Sequence, residues 1–88
     1  MNISINDIQS AITLVQNTIN EMDRNQDKLQ KGINVMKNNW NDSNGKAMQE
    51  AYREVSNSLK TLNEKLTNNV KPKLVSAKTF LENYEKAN

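Results

Sequence analysis

The sequence predicts an all-α fold. Two long helices, about residues 5–38 and about residues 43–86 with a kink near Pro72, form one antiparallel hairpin that pairs with another into a four-helix bundle. Three observations carry this. Glycine occurs twice and proline once in 88 residues, too few breakers for a fold of short strands. Apolar residues recur three and four apart along both halves, the repeat of a helix face. The main cluster of turn formers, Asn41-Asp42-Ser43-Asn44, lies near the middle of the chain.

The first helix is read from Ile5, Ile8, Ile12, Val15, Ile19, Met22, Gln26, Leu29, Ile33, Met36 and Trp40. The steps alternate three and four without a slip, and only Gln26 is polar. That is a heptad stripe of about five repeats, which specifies a coiled-coil-like helix about 50 Å long. Its start is also marked. Ser4 is placed to cap the helix with Asp7 three residues on, a carboxylate version of the capping box, and Ile3 and Ile8 have the spacing of a hydrophobic staple. Gly32 inside the helix costs about 1 kcal/mol relative to alanine. It is offset by packing along the stripe or marks a close approach of the facing helix.

Asp42 or Ser43 is expected to cap the second helix. Its stripe reads Met48, Tyr52, Val55, Leu59, Leu62 and Leu66, then changes phase through Val70, Leu74, Ala77, Leu81 and Tyr84. Such a shift locally unwinds a supercoil. Pro72 sits at the shift, and proline within a helix removes a hydrogen bond and crowds the preceding turn. A kink at residues 68–71 is expected, a full break into three helices being the alternative. The core between the helices is then Ile8, Ile12, Val15, Ile19, Met22, Leu29, Ile33 and Met36 from the first and Val55, Leu59, Leu62 and Leu66 from the second. Met22, Met36 and Met48 read as core residues. Leu14, Val35, Ala47, Ala51, Val75 and Phe80 lie off the seam and either widen it or face a second hairpin.

Composition narrows the function. A chain of 88 residues makes one small domain, taken as residues 1–88, with a marginal core. With no cysteine and no histidine, disulfides and the usual zinc ligand sets are excluded, and association is the remaining route to a larger core. The net charge is +2, spread over both halves, so nucleic-acid binding is not expected. The N-terminal Met1-Asn2-Ile3-Ser4 has neither a basic region nor an apolar run, so no cleavable signal peptide is expected, and nothing approaches a membrane span. Acid–base chemistry would fall to carboxylates such as Glu50 and Glu54, which share a solvated helix face without the burial that an acid–base pair requires. No phosphate-cradling loop or nucleophile elbow occurs. Neither an enzyme nor a cofactor is expected; the function is association.

A heptad-patterned hairpin of this length, without cysteine and with its one tryptophan at the turn, resembles the WXG family of type VII secretion substrates, the early-secreted-antigen-like proteins. The architectural likeness covers the whole chain, whereas the motif likeness is confined to Trp40 and the residues after it. Trp40-Asn41-Asp42 has aspartate where the family has glycine, and Gly45 follows three residues later. Ala47, Ala51 and Tyr52 take the small and aromatic places. The family's tail signal, Tyr-x-x-x-Asp/Glu, is matched at Tyr84 and not at Asn88. Three explanations stay open: a truncated chain, a partner that supplies the complete tail, or a likeness of architecture alone.

The resemblance implies a small non-enzymatic protein exported by a bacterial type VII system without a cleavable signal peptide, cytoplasmic before export. It would act as a homodimer, or as partner and targeting adaptor of a larger helical effector or toxin, and be read by the secretion ATPase. Trp40, Asp42, Gly45 and Tyr84 would form the recognised surface. Each has a plainer reading: Trp40 plugs the bundle end, Asp42 caps the second helix, and Tyr84 edges the bundle. A cytosolic coiled-coil assembly module unrelated to secretion is the competing function.

Overall fold

The computed structural model describes residues 3–87, and among them the fold is an all-α helical hairpin with no strand. Helix α1 spans Ile5–Asn39, and α2 spans Ser43–Lys65. A π-helical turn, Leu66–Val70, joins α2 to α3, which spans Lys71–Ala87. No helix among the described residues is long and apolar enough to cross a membrane.

The chain's contacts gather into two compact units, one of Met1–Asn20 with Glu64–Asn88 and one of Glu21–Asn63. In the first, α1 begins with a complete capping box. The Asp7 N–H donates to Ser4 Oγ at 3.1 Å and the Ser4 N–H donates to Asp7 Oδ2 at 3.1 Å. These bonds to Ser4 hold the Asp7 carboxyl below its usual pKa. Ile8, Ile19 and Leu81 are buried, and Ile5, Ile12, Val15, Leu66, Val70 and Leu74 are half-buried. Lysines on α3 cross to glutamines on α1: Lys71 Nζ donates to Gln16 Oε1 at 2.5 Å, and Lys78 Nζ to Gln9 Oε1 at 2.8 Å. Both bonds run across the antiparallel pair in the same register.

The second unit holds the turn. Ile33 is buried, and Met22, Gln26, Leu29 and Met36 are half-buried along α1. Across from them, α2 presents Gly45, Gln49, Tyr52, Ser56, Leu59 and Asn63. The polar members of that face are bonded. Gln26 Nε2 donates to the Ser56 carbonyl at 3.3 Å, and Asn63 Nδ2 donates to Asp23 Oδ1 at 2.6 Å. Gly32 marks a close approach: a β-carbon there would lie 3.1 Å from Tyr52 Cε2.

The expected inner face of α2 is corrected. Val55 and Leu62, expected in the core between the helices, are 52% and 51% exposed, and Met48 is 43% exposed. The predicted stripe on α2 mixes two faces. Its half-buried members, Tyr52, Leu59 and Leu66, sit beside bonded polar residues, whereas Met48, Val55 and Leu62 lie one step round the helix. Hydrophobicity alone misplaces the face because the Gln49 and Asn63 side chains gain partners inside it.

The interruption near Pro72 is neither a full break nor an α-type turn. The Lys71 N–H bonds to the Leu66 carbonyl five residues back, so the turn preceding Pro72 is one residue wider than an α turn. In a regular α-helix Pro72 would owe a hydrogen bond to Asn68 and its ring would crowd that carbonyl. The widened turn relieves both.

Candidate partner-recognition site at the turn

Trp40 closes α1, its N–H bonding the Met36 carbonyl at 2.7 Å. Asp42 then starts α2. Its Oδ1 accepts the Gly45 N–H at 2.9 Å, and its carbonyl accepts the Lys46 N–H at 3.0 Å. Asp42, not Ser43, is therefore the cap, satisfying an amide that the first turn leaves without a helical partner. The Gly45 N–H holds the Asp42 carboxyl below its usual pKa. The Trp40 side chain and the Asn44 amide add smaller pulls against the opposing effect of desolvation.

Gly45 is buried directly beneath the tryptophan. A β-carbon at this position would collide with the Trp40 carbonyl oxygen and lie 2.6 Å from Trp40 Cγ. No side chain fits there, so the absence of one is what seats the indole. Gln49, one turn further along α2, is only 6% exposed, and its Nε2 donates to the Trp40 carbonyl at 3.4 Å. The indole itself remains 39% exposed. The tryptophan is thus held by three residues: Gly45 leaves room for its ring, Gln49 bonds its backbone carbonyl, and the capping Asp42 carboxylate interacts with its side chain.

Trp40, Asp42 and Gly45 are thus brought together. Tyr84 belongs to the other unit, where it is 62% exposed and lines a shallow hollow of about 380 Å³ with Ile3, Phe80, Leu81 and Glu85. Asn88, at the acidic position of the tail pattern, lies outside the described residues. Gln49 was missed by sequence reasoning. Its signal is its place in the Gly45–Gln49–Tyr52–Ser56 series, legible only once the inner phase of α2 is known. Among the described residues no group of three or more acidic side chains is placed to hold a metal ion.

The model of one protein family, WXG100, proteins of 100 residues with WXG, matches residues 1–86. The chain belongs to the WXG100 family. No curated protein and no solved structure matches it. WXG100 proteins are small helical proteins associated with type VII secretion. In this WXG100 chain the motif tryptophan is Trp40, and Asp42 stands at the motif's glycine position. The residue that admits the indole is Gly45, on the first turn of α2. The aspartate substitution is compatible with the turn because position 42 has no positive φ and its side chain caps the helix.

Proposed function

We propose that this WXG100 protein is a non-enzymatic export partner. It pairs through its helices with itself or with a larger helical effector, and leaves the cell through a type VII system. The seated, half-exposed Trp40 carries the reading. Holding an indole at the turn with a steric vacancy at Gly45, a buried Gln49 and an Asp42 cap is more structure than a bundle plug needs. The thin core supports pairing. Among the described residues only four apolar side chains are buried, few for a hairpin to stand on alone.

On this reading Trp40 is a contact for the secretion machinery or the effector, and Tyr84 on α3 is a second contact. Trp40→Ala, checked for unchanged helicity, should accumulate in cells while the wild type reaches the culture medium. Retention of the wild type, while another substrate of the same system is secreted, would contradict the reading.

A further inference from the structure

The turn contains the most labile peptide bond partner in the chain. Of its sixteen asparagines, only Asn44 precedes a glycine. In an Asn-Gly pair no side chain hinders the glycine nitrogen from reaching the asparagine side-chain amide, so this pair cyclises most readily. A surface turn escapes that chemistry by carrying another residue after the asparagine. Here the escape is closed, because a β-carbon at position 45 would collide with the Trp40 carbonyl and ring. The labile pair comes with the seat of the indole, and its lifetime depends on the conformation around it.

That conformation opposes the reaction. Cyclisation needs the Gly45 nitrogen to swing toward Asn44 Cγ, which helical backbone angles at Asn44 prevent. Asn44 and Gly45 stand in the first turn of α2. The Gly45 N–H is tied to Asp42 Oδ1 at 2.9 Å, and the next amide, that of Lys46, to the Asp42 carbonyl at 3.0 Å. Gly45 is buried, whereas Asn44 is exposed to the water that completes the reaction. One residue, Asp42, therefore holds the attacking amide and the amide after it.

We propose that Asn44 is a deamidation site that the Asp42 cap keeps closed and that opens when the first turn of α2 unwinds. In the opened turn the Gly45 nitrogen bonds to Asn44 Cγ and the Cγ–Nδ2 bond breaks. Ammonia leaves with the proton of the Gly45 amide, and water opens the cyclic imide at either carbonyl. One product is aspartate at position 44. It adds negative charge to a first turn that has no acidic residue, where such charge is favourable. The other product is isoaspartate, which inserts a methylene into the main chain just before Gly45 and so displaces that residue from its seat beneath Trp40. Because the ammonia is lost, the site keeps a permanent record of unwinding at the turn.

Full-length wild type, Asp42→Ala and Asp42→Ser are aged in mildly alkaline buffer, beside wild type in guanidinium chloride. Peptide mapping reads conversion at Asn44, and enzymatic methylation of isoaspartate counts the second product. Folded wild type should convert several-fold more slowly than the denatured chain. Asp42→Ala should convert several-fold faster than folded wild type, and Asp42→Ser, which restores a capping oxygen, should return close to it. Asp7→Ala removes the cap of the other helix and should leave Asn44 at the wild-type rate. Equal rates for folded and denatured wild type, equal rates for wild type and Asp42→Ala, or the same acceleration in Asp7→Ala as in Asp42→Ala would overturn the proposal.

Discussion

The two faces of α2 differ by a single residue step and by opposite logic. Gln49, Tyr52, Ser56, Leu59 and Asn63 face α1, and three of these five are polar. Met48, Ala51, Val55, Ser58 and Leu62 face outward, and four of these five are apolar. A hairpin closed purely by hydrophobic burial would have turned the other way. It does not, because polar side chains inside it are matched: Gln49 to the Trp40 carbonyl, Asn63 to Asp23, and Gln26 of α1 to the Ser56 backbone carbonyl. A satisfied polar group inside costs little, and the apolar surface released to the outside remains available for association. The inner face specifies the hairpin, and the outer face leaves Met48, Val55 and Leu62 exposed.

The comparison can be broken most sharply with two leucines three positions apart. Leu59→Ala, on the half-buried inner face, should cost the hairpin about 2 kcal/mol, toward the lower end of buried leucine truncations. Leu62→Ala, on the outer face, should change the stability of the single hairpin by no more than about 0.5 kcal/mol. Denaturant melts at high dilution check both, and equal costs would mean that the two faces are not distinct.

Next in size is the glycine pair. Gly45→Ala places a methyl group into the Trp40 carbonyl and ring, which should cost about 1–3 kcal/mol and shift the fluorescence of the only tryptophan as the indole is displaced. Gly32→Ala meets only the edge of the Tyr52 ring at 3.1 Å, and the helix-propensity gain of about 1 kcal/mol offsets that crowding. It should be close to neutral.

The smallest effect comes from Asp42, which starts both faces by capping α2. Folding lowers its pKa, so the unfolded chain takes up the proton more readily. The cap's contribution is then complete above the unfolded carboxylate range, near pH 4. It is lost as pH falls through the lower folded value. Asp42→Ala should therefore flatten the acid limb of the thermal midpoint against pH, while Asp7, held low by Ser4, retains part of the slope.

Much of this was legible in the sequence. The heptad phase of α1 coincides with the residues that line the inside, because its one polar member, Gln26, interrupts a continuous apolar series. The Ser4–Asp7 box and the helix start could be read from residue types alone, since capping is local. On α2 the helix was legible and its face was not. Inner Gln49 and Asn63 take partners across the turn and on another helix, and sequence spacing does not show those. Pro72 marked an interruption, yet a π turn depends on how α3 meets α1 through Lys71 and Gln16. At the turn, Trp40 and Asp42 could be placed, whereas the role of Gly45 is steric and appears only with the indole above it.

The most direct test of the two-face account compares neighbouring residues. Val55→Cys and Ser56→Cys are reacted separately with a soluble maleimide. At high dilution the thiol at 55 should react at nearly the rate of a free cysteine and the one at 56 several-fold more slowly. Equal reactivity at high dilution would contradict it.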